Sequence, residues 1–384
     1  MHIVVNRDVL LTAFSHSQSV IEKRTTLLIL GHTLIEAQEG TATVSSTDMV
    51  LSMSESLPCE VLEAGSLCVP TILLYEILRK IKSNIPVDLS CSPQSAQIIL
   101  SAGRSRFEIP YIASSEFPRV LQEQNEFLCN FSIPAPLLKN MLETVRFAMS
   151  TDEMRYSLVG INLSYEPTKN VIRAVATDRH RLACVEIPAP QGTENLPSII
   201  IGKKVIGEMV KLLDEAAEPV SLSVSETRIE LKVTGSNSVV VLGSRLIDGS
   251  FPDFEAILRI EHERKLVAGT QVFADAVDRV GTVINDKLRM IRITLSRNLM
   301  KCSAIAGASS NGAADEDVDI SYDYDDTTEF NFDVRYLLDI AQHISTDELE
   351  VSISSPDVAI AIRPVGLSGV FFALMSMAPA HAEN

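Results

Sequence analysis

The chain has 384 residues, of which 46% are hydrophobic and 22% charged, and a formal net charge of -17. It is longer than one core usually supports and apolar enough to bury several, so two or three folded domains are expected and a disordered tether is excluded. No run approaches the roughly 18 apolar residues of a membrane span, and the first residues lack a signal-peptide pattern, which predicts a cytoplasmic protein. Cys59, Cys68, Cys91, Cys129, Cys184 and Cys302 form no CxxC pair, which fits reduced thiols better than disulfides or a metal site.

In chain order one pattern recurs: an apolar strand, an amphipathic helix, alternating strands, a second helix and more strands. Over residues 1–128, Val9, Leu10, Ala13, Phe14, Val20 and Ile21 fall at helical spacing, as do Leu74, Ile77, Leu78 and Ile81. The run Gln97 to Ile109 then reads as a hairpin turning at Gly103. Over residues 129–253 the helical stripes are Leu137, Leu138, Met141, Leu142, Val145 and Met149, then Val205, Ile206, Met209, Val210 and Leu213. Period-2 strands follow from Val220 to Val233. Over residues 254–384 the stripes are Phe273, Ala276, Val277, Val280, Val283 and Ile284, then Val334, Leu337, Leu338, Ala341 and Ile344. Leu349 to Ile362 forms the corresponding hairpin, turning near Pro356. The first two copies close near Phe117-Pro118 and Phe251-Pro252. The predicted class is therefore α+β, a threefold repeat with helices packed on one face of antiparallel sheets.

Much of the charge is local. Asp315, Glu316, Asp317, Asp319, Asp323, Asp325, Asp326 and Glu329 fall in one stretch without Lys or Arg. The order of acids and glycine that a calcium loop needs is absent, so the stretch reads as a solvated loop and strand edge.

Equal copies in a row form an arc that closes or spirals. If each copy's helix pair lines the inside, six helices spaced ~9 Å apart make a circle roughly 17 Å across, with ~7 Å left open. Twelve helices from two chains leave about 24 Å, enough for a nucleic-acid duplex at least ~16 Å thick. Arg79, Lys80 and Lys82 mark one polar helix face, Lys139 and Arg146 a second, and Lys203, Lys204 and Lys211, interrupted by Glu208, a third. Such faces suit loose phosphate contact and equally suit plain solubility. The third copy offers Arg279, Arg335 and His343 against Asp275, Asp278 and Asp339 and is not basic.

Five local motifs go further: GRSRFEIP at 103–110, RYSLVG at 155–160, ATDRHRLA at 176–183, LIDGSFPDF at 246–254 and FFALMSM at 371–377. Together, in order and over the whole chain, they resemble the bacterial DNA polymerase III beta subunit family of sliding clamps. The resemblance implies three repeated DNA-clamp domains, here 1–128, 129–253 and 254–384, with helices inside, sheets outside and a six-domain ring made by a head-to-tail homodimer around double-stranded DNA. It implies partner binding by the replicative polymerase, the clamp loader and other clamp-motif proteins at a pocket. One wall matches Leu158, Thr177, His180, Leu182, Pro252 and Ile257, the other Ala359, Ala373, Met375, Ser376 and Met377. Methionines suit a site that accepts several partners, although strand core alone would also use them. Arg24 and Tyr156 match DNA-contacting positions, and Phe107 and Ile109 in an edge strand would meet the third domain's helix near Val283 in the dimer. Ser376 stands where the family usually has Pro, Ala256 where Arg is common and Ser157 where a second Tyr often follows, so partner affinity and DNA contact are expected to differ.

Other functions are weaker readings. Asp178 beside His180 suggests a hydrolase, but no nucleophile motif or metal spacing accompanies them. Gly202-Lys203-Lys204 is no P-loop, since Pro197 occupies the required Gly position and no Ser or Thr follows. No catalytic residue, cofactor or metal is expected. A peptide-binding scaffold that does not encircle DNA is the remaining alternative.

Overall fold

The computed structural model describes residues 1–22, 26–91, 96–119, 126–236, 238–260, 262–284, 289–304 and 312–377. Arg24 and the tail Pro379 to Asn384 lie outside them. Two compact units form, Met1–Asn140 with Pro190–Asp248, and Met141–Ala189 with Gly249–Asn384. The helices are α1 (Arg7–Val20), α2 (Thr71–Lys80), α3 (Ala135–Arg146), α4 (Lys203–Asp214), the single-turn α5 (Glu255–Leu258), α6 (Thr270–Gly281) and α7 (Val334–Gln342).

In the first unit, α1 starts where the Asn6 side chain accepts a hydrogen bond from the Asp8 N–H at 2.8 Å, the ordinary N-cap device. Its apolar stripe, Leu10, Ala13 and Phe14, joins Leu74 and Leu78 of α2 in a core with Ile3, Ile35, Leu67, Leu89 and Leu100. One sheet runs in the order Glu60–Glu63, His2–Asn6, Pro86–Cys91, Gln97–Ala102, Ser105–Pro110. The last of these strands is an open edge. Ile109 is only 1% exposed and belongs to this core. Pleat alternation turns its side chain inward, and Phe107, on the same face, is half-buried. The unit's second sheet carries Leu51–Pro58 directly against Val239–Arg245, with Val239 opposite Ser56 and Ser244 opposite Leu51. One continuous ladder thus links strands far apart in the chain.

In the second unit a sheet runs in the order Gly160–Glu166, Val171–Thr177, Arg181–Pro188, Val370–Leu374, Ile360–Pro364, Glu348–Ile353, Arg264–Gly269. A smaller one runs Ala314–Asp319, Leu299–Ala304, Met290–Ser296, Thr328–Asp333, with the acidic stretch as its open edge. α6 and α7 approach closely at Gly281, where a Cβ would stand 2.8 Å from Val334 Cγ2, so only glycine fits. α6 ends there, with the Thr282 hydroxyl donating back to the Asp278 carbonyl at 3.1 Å. Val283 is therefore not in the helix, as its spacing suggested, but half-buried in the following turn, beside Gly312 at the start of the acidic edge.

Candidate functional site

The site begins with a tight turn. Between Val171–Thr177 and Arg181–Pro188, the Asp178 carboxylate accepts the N–H groups of His180 and Arg181, both at 3.0 Å, and the Nε of Arg181 at 3.1 Å. The Thr177 hydroxyl donates to the Arg181 carbonyl at 2.7 Å, and Arg179 takes a φ of 79°, a left-handed strain accepted because these bonds surround it. Asp178 is consumed by the turn. The His180 ring lies near Tyr336, centroids 6.0 Å apart, so the two residues are not arranged as a base and its orienting carboxylate.

Beside this turn lies a hollow of about 190 Å³ lined by Thr177, Arg179, His180, Arg181, Leu182, Pro252, Asp253, Phe254, Ile257, Ala359, Ala373, Leu374 and Met375. Leu182 pairs across the sheet with Ala373, and Ala373 with Ala361, so small side chains leave the floor low. Pro252 to Ile257 forms one wall, and Met375, 41% exposed, stands on the rim.

Arg181 is fixed on every side. It pairs with Asp339, donates to the Phe147 carbonyl at 2.8 Å, and stacks over the rings of Phe147 at 5.1 Å and Tyr336 at 4.4 Å. Burial raises the Tyr336 phenol above its ordinary range, with the charges of Asp178 and Asp333 adding to it.

Of the residues expected at a partner pocket, Thr177, His180, Leu182, Pro252, Ile257, Ala359, Ala373 and Met375 line this one hollow. Leu158, Ser376 and Met377 do not. Leu158 is buried, with its carbonyl taken by the Ser150 N–H at 2.9 Å, and the Met377 N–H donates to the Asn331 carbonyl at 2.7 Å. Arg179, Arg181, Asp253, Phe254 and Leu374 line it without having been singled out. They stand inside the same motifs and needed only to be taken with their neighbours.

The expected DNA-facing cations divide. Arg79 pairs with Glu76 at 2.9 Å, Arg146 with Glu143 at 3.6 Å and Lys211 with Glu208 at 2.8 Å, all one helical turn apart. Lys139 pairs with Asp214. Lys204 is bound to Asp48 and to the Val20 carbonyl, so it is tied into its own unit rather than held out to a phosphate. Lys80, Lys82 and Lys203 are exposed and have no carboxylate within ion-pair distance among the described residues. Tyr156 is 59% exposed, its ring against Gly249.

The repeated helix-backed antiparallel sheets agree with a clamp protein, and the comparisons name the class. Three models of the DNA polymerase III beta subunit match in succession: the N-terminal domain over 1–121, the central domain over 132–253 and the C-terminal domain over 256–378. The chain belongs to that family. It is 32% identical to the beta sliding clamp of Caulobacter vibrioides over 380 residues, spanning 98% of this chain and 100% of that one. Among solved structures, the sliding clamp of Bartonella birtlesii bound to griselimycin is 34% identical with a TM-score of 0.91, covering 99% of this chain and 100% of that one. The Caulobacter crescentus sliding clamp is 30% identical with the same TM-score of 0.91 and the same coverage.

Proposed function

We propose that this chain is a sliding clamp: two copies, each with domains near 1–128, 129–253 and 254–384, join head to tail into a ring around double-stranded DNA and hold the replicative polymerase there. The observation that carries this is the succession of three clamp-domain matches over nearly the whole chain. A closed ring cannot leave a duplex sideways, so tethering needs no covalent chemistry, and none is assigned to Asp178 and His180. On the helices Arg79, Lys139 and Arg146 are paired with exposed carboxylates. Such pairs are weak and give way to passing phosphates, so the hole holds DNA without braking it.

For ring closure the candidate surfaces are two of the open sheet edges. Ser105–Pro110 presents exposed Arg106 next to Arg104, while Ala314–Asp319 presents exposed Asp315, Asp317 and Asp319. Edge pairing between two copies would satisfy both backbones and set opposite charges together, with Phe107 and Val283 packing alongside. The apolar hollow is assigned to short segments of the polymerase, the clamp loader and other partners, since a floor without unsatisfied polar groups gains most from an apolar guest. Griselimycin, bound by the Bartonella clamp, is a second guest to try.

The deciding experiment compares retention of the protein on nicked circular and linearised primed DNA, after loading by an ATP-driven clamp loader. Retention on circles and loss from linear DNA is expected. Equal retention on both excludes a topological hold, as does a strictly monomeric mass at micromolar concentration.

A further inference from the structure

We infer that Arg173 and Glu255 are positioning residues that clamp the Pro252-to-Ile257 wall onto the sheet and so set the width of the apolar hollow. This rests on the reading of that hollow as the partner-segment site.

The face of the sheet that floors the hollow continues into a buried ion cluster. Along Val171–Thr177 the side chains of Arg173, Val175 and Thr177 share that face, opposite Glu186, Cys184 and Leu182 of the next strand. Arg173 is 3% exposed. Its Nη2 meets Glu186 at 2.6 Å and Glu166 at 3.9 Å, its Nε donates to Glu186 at 2.8 Å, and its Nη1 pairs with Glu255 of α5. The guanidinium also stands 5.6 Å from the ring centre of Phe254, a wall residue.

The wall's remaining hold on the sheet is apolar. Phe251, Phe254, Ile257 and Leu258 pack over Val175, Cys184, Ala361 and Phe371. Apolar contact is non-directional and permits sliding. A helix of a single turn is not stable by itself, and the bonds of Glu255 with Asp253 and Arg259 are local to the segment: its N–H donates to Asp253 at 3.0 Å, and its carboxylate accepts from Arg259 at 3.2 Å. Among the described residues, the Arg173 fork is the directional tie between wall and strands. It fixes where Phe254 and Ile257 stand above Leu182 and Ala373.

Cys184 reports on the tie, because it lies under the wall and is 2% exposed. Burial pushes its thiol up to about 12, with the charges of Arg173 and Glu186 next in weight. Cys302, in the smaller sheet of the same unit, is fully buried and serves as control.

The test is Glu255→Gln, which keeps size and removes charge, with Arg173→Lys as a second variant that preserves a cation for Glu186 but not the fork. N-ethylmaleimide labelling of the full-length dimer, mapped by mass spectrometry, should quicken about tenfold at Cys184, the low end expected for a lost charged hydrogen bond, and stay unchanged at Cys302. Affinity for the tightest-binding peptide from a scan across the replicative polymerase should fall about as much. Unchanged Cys184 labelling in both variants overturns the inference. So does labelling that rises equally at Cys302, which marks general loosening, or peptide affinity that stays constant while the wall opens. If no polymerase peptide binds even the unaltered protein, the assignment of the hollow fails, and the cysteine rates alone still decide whether the wall is clamped.

Discussion

Two hollows in this molecule are built alike and differ in chemistry. In each, a segment containing Phe-Pro crosses an antiparallel sheet. Phe117 to Arg119 crosses the first unit's larger sheet and encloses about 240 Å³ with Glu36, Ser45, Ser52, Ser54, Glu230 and Val241, among others. Pro252 to Ile257 encloses about 190 Å³ over Leu182, Ala359 and Ala373. In the first, the Ser45 and Ser54 hydroxyls bond one another at 3.0 Å, and Arg119 reaches Glu36 at 3.3 Å. Such a floor stays wet, because an apolar guest would strip water from polar groups without replacing their bonds. In the second, an apolar guest releases water at no such cost. Backbone geometry makes both hollows, and the chemistry of the floor sets them apart.

The strongest way to break that contrast is to charge the apolar floor or rim. Leu182→Asp should lower polymerase-peptide affinity by at least about a hundredfold, since an unpaired buried charge is among the costliest changes, and Met375→Asp, on the exposed rim, should lower it less. Sedimentation should still give the dimer mass; unchanged peptide titrations would count against the assignment.

The second effect separates the units by pH. In the first unit His16 sits between Glu55 at 2.8 Å and Glu215 at 3.1 Å. Burial works against its charge, but the bonds and charges of Glu55 and Glu215 outweigh it and lift the pKa to about 9. The stabilisation is therefore complete below the unfolded value of about 6.5 and is lost as pH rises through about 9. Denaturant melts of His16→Gln against the unaltered chain should differ by roughly 2–3 kcal/mol at pH 6 and converge near pH 10. A constant difference across that range would remove the protonated histidine from the account.

The smallest effect is expected in the polar hollow. Ser45→Val with Ser54→Val removes both partners of a hydrogen bond, so stability should stay within about 1 kcal/mol, and peptide affinity at the other hollow should not move. An apolar dye that binds the variant but not the parent would show that the floor alone sets the difference.

Much of this was legible in the sequence. The stripes at Leu10, Ala13 and Phe14 and at Leu74 and Leu78 reach the core as spaced, because helical period follows directly from side-chain order. The hairpin at Gly103 turns where a φ of 61° is needed. Spacing failed where the third dimension intervenes. Val283 continues α6's stripe but lies past a glycine held close against Val334. The Arg173 cluster draws on 166, 186 and 255, three segments whose meeting no local pattern encodes. Lys204 is basic in sequence and neutralised in space by Asp48, which sits over a hundred residues earlier.

One last feature bears on mechanics. Leu51–Pro58 bonds to Val239–Arg245 in the first unit, and Arg181–Pro188 to Val370–Leu374 in the second, so stretches matched to neighbouring clamp domains are stitched by unbroken backbone ladders. Each ladder must shear many bonds at once before it parts. Under tension each ladder would yield as a whole, so the two stretches it joins act mechanically as one piece.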